Sequence, residues 1–424
     1  MPTMEMAFRV AAHFSEKAHH AVAGRMDWAS RLEFALGKAP PGPRVMLHAP
    51  SVGEFLQGRA VLDELLDRHP NLVVVITHFS PSAGNIVAAY DRAVARTILP
   101  FDNLRNMQRL LDIVRPDILV FSRADVWPNL VGEAHRRGVP TVLVAGTLSQ
   151  SAGRLNPIAA GFASEGLRLL DMVATISDDD SAQFIKLGVD ANRVKVTGDP
   201  RFDQTWRRAQ SVTDSDPLFR AFRGGVPTLV AGSTWPPDER AVLPAFAAVE
   251  HAVPGIRLIV APHEPTPARV NGIIKGLRRK GLSVSTLSKV ESGSDEKISA
   301  VVVDRVGILA KLYYLGSVAF VGGSFVRRVH NVMEPACMGI PVLVGPRHEN
   351  AREAQLLIKA GGAFCVKDSK QMEKKLLDMF RDDPARKAAG QVASEYVCSN
   401  LGAARVTAEF LEKYFPGVFD KNSN

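Results

Sequence analysis

Glu54 stands in "HAPSVGEF", where an apolar run gives way, through a small Ser-Val-Gly turn, to an amphipathic pattern. A carboxylate beside the first N–H groups of a helix is placed either to stabilise the helix dipole or to take a proton in a reaction. Ser51 and Gly53 of the same turn offer a hydroxyl and an uncovered backbone to a phosphate or sugar. Downstream, "RADVWPNL" sets Asp125 between Arg123 and Trp127, as a helix-start acid or a site carboxylate. "VTGDPRFD" carries Arg201 on a loop after an apolar run, where a guanidinium either grips phosphate through paired hydrogen bonds or joins a surface ion pair.

The second half carries its own set. In "AGSTWPPDE", Ser233 and Thr234 end an apolar run while Asp238 and Glu239 open a helix, a pattern suited to a phosphate cradle or to plain capping. "VAPHEP" pins His263 and Glu264 between prolines, as contacts for a base or ribose or as a structural turn. The most specific passage is "AFVGGSFVRRVHNVMEPACMGIPVLVGP". Gly322 and Gly323, lacking Cβ atoms, let a ligand approach the backbone beside Ser324, and Arg327 and Arg328 follow. His330, Asn331 and Glu334 then arrive as a short helix begins, whose N–H groups would meet a phosphate while Glu334 accepts from a ribose diol. "DDDS" at 178–181 reads as aspartates capping a helix rather than as a metal cluster. With no GxxxxGK[ST], HExxH or GxSxG, and no GxGxxG after the first strand, kinase, zinc-protease, hydrolase and dinucleotide readings lose their usual supports.

The elements that must position these residues are short Val- and Ile-rich runs alternating with helical patterns, the punctuation of parallel α/β sheets. "RVMLHAP", "NLVVVITHFS", "DILVFSRADV", "PTVLVAGT", "LLDMVATIS" and "RVKVTGD" form one series. "TLVAGST", "IRLIVAPHEP", "LSVSTLS", "AVVVDRVG", "VAFVGGSF", "IPVLVGP" and "GAFCV" form a second. The polar stretch between them predicts a linker, giving domains at 1–204 and 227–400, a linker at 205–226, and a final helix and tail at 401–424 that is free to return to the first domain. Each domain is expected to be doubly wound, with ligands beyond the carboxyl ends of its strands.

The 424 residues, 46% of them apolar, contain no apolar run of membrane-spanning length. Three cysteines without CxxC spacing, and no secretory leader pattern, predict a reducing cytoplasm. The net charge of +8 suits anionic partners, namely nucleic acid, acidic lipid surfaces or phosphorylated small molecules, or else a merely solvated basic surface.

"HAPSVGE", "RADVWPNL", "VTGDPRFD", "VAPHEP", "VVVDRVG" and "FVGGSF…HNVMEPACMGIPVLVGP" resemble, in that order, the Kdo (3-deoxy-D-manno-octulosonic acid) transferases of lipid A biosynthesis, from about Arg44 to beyond Val366. The resemblance implies a GT-B glycosyltransferase fold, two Rossmann-like domains facing a central cleft. It implies a CMP-Kdo donor, a tetraacylated lipid A precursor (lipid IVA) as acceptor, inversion, and no metal or cofactor. Carried over, the general base falls on Glu54, transition-state stabilisation on Asp125 and Arg201, and CMP contacts on Pro262, His263, Val306, Gly307, Ile308, Asn331, Val332, Met333 and Glu334. Asp125 stands where glutamate is usual and Arg201 where lysine is, so charge is kept and geometry altered. "VAPHEP" lacks an arginine often found after the proline, which leaves open whether His263 or Glu264 makes the contact, and Ile308 replaces a usual glutamate, leaving backbone contacts there.

Family members often begin with a hydrophobic anchor, whereas this N-terminus is polar. Phe8, Val10, Ala11 and Phe14, with Arg9, Lys17 and Arg25, make either an interfacial helix or one packed on the first domain. The expectation is a peripheral protein at the cytoplasmic face of the bacterial inner membrane, touching an anionic lipid surface rather than nucleic acid. Its oligomeric state is left open. Two other readings are another GT-B enzyme using a UDP-sugar, and a non-catalytic nucleotide-binding adaptor.

Overall fold

The computed structural model describes residue 19 and residues 22–148, 165–222, 225–293 and 298–420. Phe8, Arg9, Val10, Ala11, Phe14 and Lys17 lie outside the described residues. Two compact units result, one of residues 1–204 with 401–424 and one of residues 205–400.

The first unit is a sheet of seven strands: β1 (Arg44–His48), β2 (Val73–His78), β3 (Ala95–Ile98), β4 (Ile118–Ser122), β5 (Thr141–Gly146), β6 (Met172–Thr175) and β7 (Val194–Val196). Their order is β3-β2-β1-β4-β5-β6-β7 and every pairing is parallel. Alternation along β1 separates the two faces. Val45 and Leu47 join a core with helices Val52–Arg68 and Ala403–Tyr414, while Met46 joins one with helices Trp28–Leu36, Leu104–Val114 and Pro128–Arg136. Because both faces are covered, the strands read as unbroken apolar runs. β3, "ARTI", escapes that reading because it is a four-residue edge strand with Arg96 in its middle.

The second unit repeats the plan with β8 (Thr228–Thr234), β9 (Arg257–Pro262), β10 (Val284–Thr286), β11 (Ala300–Val302), β12 (Val318–Val321), β13 (Val342–Val344) and β14 (Ala363–Cys365). The order is β10-β11-β9-β8-β12-β13-β14, again all parallel. Leu229 and Ala231 face one helical layer, and Val230 faces the other. Two doubly wound, Rossmann-like domains are the composition of the GT-B class.

The polar stretch expected to be a linker holds the second half of the helix Pro200–Gln210 and a 3-10 turn, Pro217–Phe222. Residues 401–420 rejoin the first unit. Asp203 accepts from the N–H groups of Gly402 and Ala404 at 2.7 and 3.1 Å, and Thr407 meets Thr197 hydroxyl to hydroxyl at 2.9 Å. Arg68 then binds Glu409 and Glu412 at 3.0 and 2.9 Å.

Arg25 departs from the interfacial role considered for it. Its side chain is buried, donating to the Leu99 carbonyl at 2.7 Å, with its guanidinium against the rings of Phe79 and Phe101. Burial lowers its pKa to about 10. No helix among the described residues is long and apolar enough to cross a membrane.

Candidate active site

In an open parallel sheet the crevice forms where strand order reverses, beyond the carboxyl ends of the two central strands. In the first unit those strands are β1 and β4. Glu54 follows β1, in the first turn of helix Val52–Arg68, and Arg123 and Asp125 follow β4. The two loops are tied together. Ser122 Oγ donates to the Glu54 carbonyl at 2.6 Å, and Arg123 Nη1 lies 3.4 Å from Glu54 Oε1.

Glu54 Oε2 is buried and has no hydrogen-bond partner. Glu54 Oε2 thus keeps an unmet capacity to accept a hydrogen bond at the edge where the strand order reverses. Arg123 holds a left-handed backbone (φ 64°), a conformation that costs a non-glycine residue energy and recurs at functional loops.

Beneath these loops His48 ends β1 wholly buried. Trp127 Nε1 donates to its Nε2 at 2.7 Å, which puts the imidazole proton on Nδ1, 2.9 Å from Thr77 Oγ1. Burial, then the neighbouring His78, lowers its pKa to about 3. The neutral ring therefore anchors Trp127 at the head of helix Pro128–Arg136. Arg201 Nε and Nη2 grip Asp199 Oδ2 at 2.8 and 2.6 Å, so its guanidinium is held by a carboxylate with the side chain still partly exposed. Ser51 is the N-cap residue of helix Val52–Arg68, and Gly53 is exposed in its first turn.

The second unit's reversal lies between β8 and β12. A pocket of about 230 Å³ opens there, lined by Arg208, Ser233, Gly307, His330, Asn331 and Glu334 among others. Whole-ligand pockets run from about 300 Å³ upwards, so this one has room for only part of such a ligand. Ser233, like Arg123, is left-handed (φ 53°). Gly322 faces it so closely that an added Cβ would sit 2.3 Å from the Ser233 carbonyl oxygen.

Asp238 holds this junction shut. Fully buried, it accepts from the N–H groups of Trp235 and Gly323, both at 2.8 Å, and of Phe325 at 3.1 Å. Burial raises its pKa against those three bonds. Thr234 is buried and gives its hydroxyl to Glu239 at 3.0 Å. Ser324, also buried, donates to the Val321 carbonyl at 3.0 Å and accepts from the Gly345 N–H at 2.7 Å. The Thr234 and Ser324 hydroxyls are thus spent inside the fold, and Gly322 and Gly323 shape the loop.

Around the pocket, Trp235, His263 and His330 form a three-ring stack with centroids 4.8 and 4.6 Å apart. Trp235 Nε1 donates to His330 Nε2 at 3.1 Å, and burial, then His263 and Arg328, lowers the His330 pKa to about 4. Burial raises the pKa of Glu334, opposed by Arg208 Nη1 at 3.5 Å from Oε1 and by Asn331. Burial, then Glu334, raises that of Tyr313, whose hydroxyl lies close under Gly232.

Of the residues expected to contact CMP, Gly307, Asn331 and Glu334 line this pocket, whereas His263 backs His330 and Pro262 is buried at the end of β9. Val306 is exposed, Ile308 caps the short helix Leu309–Tyr313, and Val332 and Met333 are buried. The helix Met333–Cys337 has five residues, and its Met333 N–H already donates to Asn331 Oδ1 at 3.0 Å. Asp178–Lys186 is a helix whose cap is Ser177, and Asp180 accepts from Thr147 and Leu148, each at 2.9 Å.

Sequence reasoning passed over Arg208, Tyr313 and the His48–Trp127 pair. Arg208 lay in the presumed linker, where the buried Phe202, Thr205 and Ala209 at helical spacing carried a usable signal. The other contacts join residues far apart in the chain.

The family model described as 3-deoxy-D-manno-octulosonic-acid transferase (kdotransferase) matches residues 26–204. The 3-deoxy-D-manno-octulosonic acid transferase of Bordetella pertussis is 28% identical over 90% of this chain and 89% of its own. That of Haemophilus influenzae is 24% identical over 88% of each. In fold the chain is similar to the UDP-GlcNAc 2-epimerase of Neisseria meningitidis, with TM-score 0.63 and 14% identity, over 87% of this chain and all of that one. With a match across the first domain and relatives aligned through both, the chain is similar to the 3-deoxy-D-manno-octulosonic acid transferases along most of its length.

Proposed function

We propose that the protein is a glycosyltransferase that moves Kdo from CMP-Kdo to a tetraacylated lipid A precursor with inversion, Glu54 acting as general base. Glu54 takes the proton of the acceptor hydroxyl, whose oxygen forms a bond to the anomeric carbon as the bond from that carbon to the phosphate oxygen breaks and CMP leaves. The observation that carries this reading is the buried, unpartnered Glu54 Oε2 at the β1/β4 reversal. In the second unit, Glu334 and Asn331 would meet the ribose, with Arg208 opposing the upward shift that burial gives Glu334. Ser233 and Gly307 border the same space. Asp125 and Arg201 keep the charge-stabilising roles that the family resemblance gives them. The setting proposed is the cytoplasmic face of the inner membrane, with peripheral contact to its anionic lipids.

The test pairs two measurements on Glu54→Gln. CMP binding stays at the wild-type value, and transfer to the lipid acceptor, counted by mass, falls by about 10²–10⁴-fold. Retained transfer would remove Glu54 from the reaction. A preference for UDP over CMP, or no added mass with wild-type protein, would overturn the donor assignment or the transferase reading.

A further inference from the structure

Away from the donor pocket, the second unit carries a trough of about 600 Å³ between helices Pro236–Ala252 and Pro267–Arg278. Its walls are aliphatic, with Leu243 and Pro244 on one helix and Ala268, Gly272, Ile273 and Gly276 on the other. A Cβ on Gly272 or Gly276 would meet nothing within 4 Å, so the space exists because side chains that would fill a helix–helix seam are missing.

The rim is cationic. Arg240, Arg269 and Lys280 border the trough, and exposed Lys275, Arg278 and Arg279 extend the charge. Residues 265–290 contain no aspartate or glutamate. Glu239, the acid in the lining, is neutralised by Arg269 at 2.6 Å. Glu239 also accepts from Thr234 at the end of β8.

We propose that this trough holds one acyl chain of an anionic phospholipid, with the lipid phosphate on the rim cations, and so seats the second unit on an anionic bilayer. An apolar trough bordered by positive charge complements a hydrocarbon chain below a phosphate. The proposal rests on the transferase reading only for the presence of a membrane, because an acylated acceptor is met there. The binding itself needs neither donor nor acceptor.

Flotation of the full chain with vesicles of phosphatidylethanolamine and phosphatidylglycerol, against phosphatidylcholine alone, reads it directly. Binding to the anionic vesicles alone is expected. Gly272→Leu with Gly276→Leu fills the trough without changing charge and should weaken binding by about fourfold per methylene displaced. Arg240→Gln, Lys275→Gln and Lys280→Gln together leave the trough open and should weaken it on the order of a hundredfold. Unchanged CMP affinity in both variants confirms that they are folded. Leucines without effect, or equal binding to phosphatidylcholine, would overturn the proposal. So would wild-type dimers in sedimentation that the leucines abolish, since the trough would then be a protein contact. Vesicle binding by a wild-type protein that transfers no Kdo would sink the transferase reading and leave this one standing.

Discussion

Acidification should find His48 before it finds the carboxylates. The ring is fully buried, accepts from Trp127 on one nitrogen and faces Thr77 on the other, and its pKa falls from 6.5 to about 3. An unfolded chain protonates this residue near pH 6.5, while the folded one stays neutral. Stability from this group is therefore intact above pH 6.5 and is lost as the pH falls towards 3. Integrating that difference gives a loss of about 2 kcal/mol at pH 5 and about 4 kcal/mol at pH 3. His48→Gln keeps an acceptor for Trp127 and a donor for Thr77 but cannot titrate. Urea unfolding at pH 7 and pH 5 should show a pH penalty larger in wild type by about 2 kcal/mol. Imidazole NMR should hold His48 in its Nδ1–H form throughout that range. A ring that titrates near 6.5, or equal penalties in the two proteins, would refute the assignment.

Two further outcomes bear on the second unit. Gly322→Ala would press a Cβ to within 2.3 Å of the Ser233 carbonyl oxygen, backbone that Asp238 helps to fix, and should cost about 1–3 kcal/mol in thermal unfolding. An unchanged melting curve would show that this junction yields. Arg208→Ala removes the cation that opposes the upward shift of Glu334, so CMP affinity, titrated by calorimetry, should fall at acid pH and recover only at higher pH than in wild type. Coincident pH profiles would mean that the ligand does not read the charge of Glu334.

The strands were legible because a parallel sheet covered on both faces demands continuous apolar runs, and position did the rest. A residue at or just after the end of such a run, like Ser233 or Glu54, lies at the edge where ligands bind in folds of this kind. What stayed hidden needed a partner distant in the chain. Asp238 reads as a helix-start acid, yet its bonds to Gly323 and Phe325 reach 85 and 87 residues along the chain. Ser324 looked available to a ligand, but its hydroxyl is consumed by Val321 and Gly345. Arg208 was obscured by the polarity of its own helix, which resembles a linker until the spacing of Phe202, Thr205 and Ala209 is counted.

The return of residues 401–420 to the first unit sets an order of assembly. Ala408 and Leu411 belong to the core that covers one face of β1 and β2, and Asp203 waits for the N–H groups of Gly402 and Ala404. On the ribosome, the first domain to begin emerging lacks part of its wall until the second has been made entirely. N-terminal domains usually fold first. Here the inserted domain can finish while its host still has an open hydrophobic face, making the first unit the one that depends on protection during synthesis.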